Sequence, residues 1–114
     1  MPISKINNII KKWQDVLNFS DWEINYDFVE FKRDDGYPQR GDIKVDEKNK
    51  NATILLKENQ KDIEKTILHE LIHLLLWKLD YYVEKKIPND QKDKYFEHLE
   101  STATKLTEII YKIH

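Results

Sequence analysis

The sequence predicts an α+β fold: a short sheet laid against a set of helices. Three observations point there. Apolar residues recur with helical spacing at both ends of the chain, and they alternate with polar ones between Trp22 and Leu56. Strands come as a run followed by helices, rather than alternating with them, which separates α+β from α/β. The expected order is α-β-β-β-α-α. At 114 residues the chain has the length of one domain, spanning residues 1–114.

Each element has its own pattern. Ile6, Ile9, Ile10, Trp13, Val16 and Leu17 follow a helical period, with Ser4 as the expected N-cap. Trp22, Ile24, Tyr26 and Phe28 alternate with Glu23, Asn25 and Asp27 as a half-buried strand. Asp34-Asp35-Gly36-Tyr37-Pro38 is a turn cluster. Gly41–Asp46 alternates again, and Glu47–Asn51 is a polar turn. Ala52–Leu56 reads as a third strand with apolar residues on both faces. A helix follows over about Lys61–Leu79, polar in its first half and apolar nearly all round in its second, which is the pattern of a helix buried on several sides. Pro88-Asn89-Asp90 breaks the chain. A final helix starts near Asp90 or Gln91, with Phe96, Leu99, Ala103, Leu106, Ile110 and Ile113 as its apolar seam.

Composition narrows the chemistry. With no Cys and four His, disulfides, iron–sulfur clusters, thiol catalysis and Cys-type zinc sites are excluded, so any metal rests on His and carboxylate. The formal charge of −2 gives no global attraction for nucleic acid, and only Arg33 and Arg40 are arginines. No nucleic-acid partner is expected. The N-terminus lacks the apolar run of a signal peptide, and the longest apolar stretch, Ile67–Leu79, carries His69, Glu70, His73 and Lys78. A cytoplasmic protein without membrane contact is the expectation, and the sequons at Asn18 and Asn51 then carry no weight.

Within the buried helix sits His69-Glu70-Leu71-Ile72-His73, an H-E-x-x-H motif. Residues four apart lie about 40° apart around a helix and one turn along it, so both imidazoles face one side. That suits two neighbouring ligands of a tetrahedral Zn²⁺, leaving room for a third protein ligand and a water. Glu70 lies about 100° from His69, too far round to be a natural co-ligand but within reach of a metal-bound water. It can take that water's proton and pass it to a leaving amine. With this composition the motif is expected by chance roughly 0.01 times in the chain. The competing reading is a pair of hydrogen-bonded core histidines with Glu70 at the surface. Against it, core helices rarely bury two His and a Glu among Leu and Ile.

The final helix offers Glu97, His98 and Glu100 as third ligand. On a helical wheel centred on Leu99, Glu100 and His98 lie about 100° to either side and flank the seam, while Glu97 points about 160° away. Glu100 is the expected ligand, with His98 and Glu97 as alternatives.

These residues resemble the HExxH zinc metallopeptidases, the zincins, in motif and in the order of strands, active-site helix and ligand-bearing helix. The metzincin branch is excluded: its Gly and third His fall on Leu76 and Leu79, and Met1 is the only Met, so there is no Met-turn. The chain is similar to the gluzincins. Glu100-Ser101-Thr102-Ala103-Thr104-Lys105-Leu106 resembles the E-x-x-A-x-x-L helix of small prokaryotic and phage HExxH proteins and the glutamate helix of the ImmA/IrrE group. The Asn-Glu-x-x-x-Asp signature of the large secreted members is absent, and SprT-like proteins use a third His, for which His98 is available. The resemblance implies a small zincin-like domain with a C-terminal glutamate helix and Zn²⁺ as cofactor. It further implies a peptide or protein substrate bound in extended form along the strand nearest the cleft, here Ala52–Leu56.

Tyr81, Tyr82 and Tyr95 are candidates for a phenol that steadies an oxyanion, each with core or rim packing as the plainer role. Asp80 is a candidate partner for a ligand His, Trp77 a core anchor beside the site, and His114 a surface residue. The functions to weigh are a zinc peptidase, a zinc-stabilised regulatory or interaction protein of the same fold without turnover, and a metal-free helical interaction module. An intact Glu70 favours the enzyme, because a purely structural site has no use for a base there.

Overall fold

The computed structural model describes residues 3–33 and 35–114, with side chains from Lys5 onward. The order is α1 (Ile3–Val16), β1 (Glu23–Phe28), β2 (Gly41–Asp46), β3 (Asn51–Leu56), α2 (Ile63–Leu75), α3 (Trp77–Lys86), a 3₁₀ turn (Asn89–Gln91) and α4 (Lys92–Ile113). This is an α+β domain with a three-stranded sheet and four helices. None of the described helices is long and apolar enough to cross a membrane.

The sheet runs β1-β3-β2. β1 lies parallel to β3, from Glu23↔Asn51 to Phe28↔Leu56. β2 lies antiparallel to β3, from Gly41↔Leu56 to Asp46↔Asn51. The β2–β3 connection is a tight turn in which Lys50 takes φ +50° and its N–H reaches the Glu47 carbonyl at 3.2 Å. A parallel β1–β3 pair needs a longer crossover, and β2 with the segment before it supplies that. The segment after β1 includes a turn at Gly36 (φ +72°), whose N–H reaches the Arg33 carbonyl at 3.3 Å; Asp34 of the expected turn cluster lies outside the described residues.

Ala52, Ile54 and Leu56 of β3 are fully buried, and Ile24, Tyr26, Ile43 and Val45 of the flanking strands extend this face. It covers α2, whose Ile67, Leu68, Leu71 and Ile72 have no exposure. Ile6, Ile10 and Trp13 of α1 close one side of the same core, and Ala103 of α4 closes another. The Trp13 indole N–H, the one polar atom of that anchor, donates to Glu64 Oε2 at 2.9 Å.

Four expectations change. β3 is the central strand, hydrogen-bonded on both sides, so Ala52–Leu56 has no free edge for an extended ligand. The strand edge facing α2 is β2. The expected Lys61–Leu79 helix is broken at Leu76 (φ −88°, ψ 0°), and a separate α3 follows. The break falls where burial ends: α3 buries no residue, and Leu75 and Leu79 are exposed. In α4, Ala103 is buried and Leu99, Leu106 and Ile110 are half-buried, but Phe96 and Ile113 at the ends project into solvent beyond the reach of α2. Finally, α1 begins at Ile3, so Ser4 lies inside the helix rather than at its cap.

Candidate metal centre

The H-E-x-x-H segment occupies α2, where the four-residue spacing brings the rings of His69 and His73 together edge-on on one face. Their centroids are 4.8 Å apart at an interplanar angle of 75°, and their Nε2 atoms are 3.2 Å apart. Glu100 comes from α4. It reaches the pair because Ala103, three residues on, has no exposure and a side chain small enough for α4 to lie close against α2. Glu100 Oε1 lies 2.8 Å from His69 Nε2, and Oε2 lies 3.1 Å from His73 Nε2. Two imidazole nitrogens and a carboxylate thus converge on one point. Ligand atoms about 2.0–2.1 Å from a tetrahedral zinc stand about 3.3 Å from one another; one atom from each residue here lies within 4.8 Å of the others, a small side-chain adjustment from that geometry. This is also the donor set, two imidazoles and one carboxylate with no thiolate, of sites that keep a position open for chemistry.

The other two candidates for third ligand stay apart from the cluster. Glu97 lines the same cleft without joining it. His98 is exposed and borders a separate small pocket with Leu79, Val83 and Tyr95.

The cluster is electrostatically coupled. Hydrogen bonding to His69 and His73 holds the Glu100 carboxyl well below the usual carboxylate range, against the desolvation that raises it. Burial works against a proton on His73, but the Glu100 and Glu70 carboxylates outweigh it and raise its affinity. Glu70 is 6% exposed and forms no hydrogen bond among the described residues. Desolvation pushes its carboxyl up to about 7, even though both histidines pull it down. A carboxyl poised near neutrality in a cleft is suited to taking and returning a proton.

Two residues that the sequence did not single out complete the surroundings. Thr107, buried on α4, donates its hydroxyl proton to the Ala103 carbonyl at 2.7 Å, and its oxygen lies 3.3 Å from His69 Nδ1. With that proton engaged, the oxygen offers His69 only lone pairs. That favours a hydrogen on Nδ1, which leaves Nε2 as the nitrogen to bind a metal in place of its hydrogen bond with Glu100. The available signal was a hydroxyl residue in the apolar seam seven residues after Glu100. The second is Gly41, at the start of β2. A Cβ there would stand 2.7 Å from Thr66 Cγ2 and 3.1 Å from Glu70 Oε2, so the glycine lets the strand close onto α2 beside Glu70. Its signal was a glycine within an alternating strand.

The remaining expectations are corrected. Asp80 makes no hydrogen bond to either histidine; it accepts the Tyr95 hydroxyl at 2.8 Å, and Thr107 stands at His69 instead. Burial and that acceptor raise the Tyr95 phenol. Tyr81 and Tyr82 are exposed beside Lys85 and Lys86, and none of these three tyrosines lines the cleft. Tyr37, from the segment before β2, does. Trp77 is half-buried at the cleft wall rather than in the core, because it follows the break at Leu76. One expectation holds: His114 is exposed, with its ring edge-on to Trp13 at 6.1 Å between centroids. No family model, curated protein or solved structure matches this chain.

Proposed function

We propose that this protein is a zinc-dependent peptidase of gluzincin type. The observation that carries the reading is the convergence of His69, His73 and Glu100 beside a buried Glu70 that has no hydrogen-bond partner among the described residues. When bound there, zinc supplies a Lewis acid that lowers the pKa of a water to about 7 and polarises a carbonyl. The two imidazoles and the Glu100 carboxylate hold it, and Thr107 fixes the His69 ring. Glu70 accepts the proton of the attacking water and delivers it to the departing amine. Its burial keeps bulk water from stabilising its charge, so it takes that proton up far more readily near neutrality than an exposed carboxylate would.

The substrate backbone pairs with β2 rather than β3. The Lys57 N–H donates to the Arg40 carbonyl at 2.9 Å, which fixes the register and turns the amides of Gly41, Ile43 and Val45 away from β3. Two of these outward groups are held by side chains: the Ile43 N–H donates to Asp42 Oδ1 at 2.8 Å, and Gln39 Nε2 donates to the Gly41 carbonyl at 3.1 Å. Side chains that engage an open edge protect it from casual pairing, and an extended peptide replaces them with backbone bonds.

The test is hydrolysis of a mixed peptide pool by zinc-loaded protein, read as new amino termini. Wild type is expected to cleave, and Glu70→Gln to bind the same zinc and leave the pool intact. Equal inactivity of both, with zinc bound, favours a regulatory zinc protein instead.

A further inference from the structure

The cleft beside the metal centre sorts charge. Every acidic residue of α4, Asp93, Glu97, Glu100 and Glu108, lines it. The lysines of the same helix, Lys92, Lys94, Lys105 and Lys112, do not. The chain as a whole is close to neutral at −2, so this is segregation and not overall acidity. The facing wall adds Asp42 from β2, Asp62 before α2 and Asp80 from α3.

Against these stand three cations. Arg33 is forked onto Asp35, at 3.1 and 2.7 Å, and Lys65 sits 5.7 Å over the Tyr111 ring. Only Arg40 has neither an ion pair nor an aromatic partner among the described residues. A divalent cation at the centre is offset in part by Glu100, and the acids along the walls still outnumber the three cations.

A solvated acidic helix face calls for no ligand. This one leads to a second feature: the Glu70 carboxylate, 6% exposed and without a hydrogen-bond partner among the described residues, opens on the same cleft. The acids therefore lead to a reactive group. Their spacing also matches a polypeptide. Asp93 and Glu97 stand about 6 Å apart along the helix axis, and side chains on one face of an extended strand recur about every 6.7 Å.

We propose that the cleft takes a cationic polypeptide segment, rich in lysine or arginine, extended between the β2 edge and the acidic face of α4. The chemistry done on that segment rests on the peptidase reading; the charge preference rests on the cleft alone. Carboxylates lining a low-dielectric groove attract and orient such a segment, and they repel an acidic one.

The test uses fluorescence anisotropy on zinc-loaded Glu70→Gln protein, with labelled Lys-Ala, Gln-Ala and Glu-Ala alternating peptides of about ten residues. The Lys-Ala peptide is expected to bind about tenfold tighter than Gln-Ala at low ionic strength, and to lose most of that advantage at about 0.5 M salt. The Glu97→Lys/Glu108→Lys double variant is expected to lower Lys-Ala affinity about tenfold with unchanged circular dichroism. Equal affinity for the three peptides, or a Lys-Ala preference that salt leaves untouched, overturns the proposal whether or not the double variant folds. Wild-type protein on the same peptides separates the two readings. Charge-selective binding without cleavage contradicts the peptidase and supports the cationic cleft; cleavage without charge preference does the reverse.

Discussion

Gly41→Ala perturbs the candidate site through a single methyl group. The new Cβ meets Thr66 Cγ2 at 2.7 Å, Glu70 Oε2 at 3.1 Å and Glu70 Cγ at 3.3 Å. Thr66 cannot simply turn aside, because it is β-branched on a helix and its hydroxyl donates to Gln60 Oε1. Relief to ordinary contact needs roughly 1 Å of movement, by β2 lifting from α2 or by Glu70 swinging away. Overpacking of this kind costs about 1–3 kcal/mol. In a domain of this size that lowers Tm by about 4–12 °C. A shift of that size at Glu70 is expected to reduce kcat/KM about 100-fold. The control is Gly36→Ala. A Cβ there meets nothing within 4 Å, but φ is +72°, so the substitution costs about 1 kcal/mol of backbone strain with no new contact at Glu70. Thermal melts and peptide hydrolysis of both variants check this. A Gly41→Ala protein with unchanged Tm and wild-type turnover would refute the account of how β2 is seated beside Glu70.

Three further outcomes are expected. Glu100→Ala should abolish tight zinc binding while His98→Ala and Glu97→Ala keep it, read by titration against a zinc-sensitive dye. Thr107→Val should weaken zinc about 10-fold with little change in melting, since it removes the acceptor at His69 Nδ1 and a bond to the Ala103 carbonyl, a group that the helix backbone still satisfies. In chelator-treated protein, Glu70 should make stability depend on pH. Its folded pKa of about 7 stands above the ordinary 4.5, so its penalty is absent below about pH 4.5, grows from there to pH 7 and is full above. Denaturant unfolding should then show the wild type losing stability relative to Glu70→Gln across that window, by at most about 3 kcal/mol; a constant gap would contradict the burial assigned to Glu70.

Local patterns in the chain were enough to anticipate the strands, the α2 motif and the start of α4, because each is written in residues a few positions apart. The α+β class followed from their order. Sheet order was only partly legible: apolar residues on both faces of β3 fit a strand covered on both sides, but nothing within β2 says that the chain crosses from β1 to the far edge before β3 fills the gap. Without that crossing, the local pattern does not identify β2 as the exposed edge. The break at Leu76 is not written locally, because apolar residues continue through Leu79 and only the tertiary core shows where burial stops. At the site, the helical wheel placed Glu100 and His98 equally on the flanks of the seam. Which flank faces α2 is decided by how α4 packs through Ala103, a contact between residues about thirty positions apart. Thr107 and Gly41 matter through neighbours on other elements, so their roles belong to the assembled fold.

The most direct test of the metal centre is zinc K-edge absorption spectroscopy on protein loaded with one equivalent of zinc, alongside the Glu100→Ala variant. The expected spectrum shows about two imidazole nitrogens and light oxygen donors at about 2.0–2.1 Å with no sulfur, and the variant loses an oxygen donor or the metal itself. Zinc that binds weakly, with a six-oxygen shell and no imidazole signature, would contradict the assignment of His69, His73 and Glu100 as its ligands.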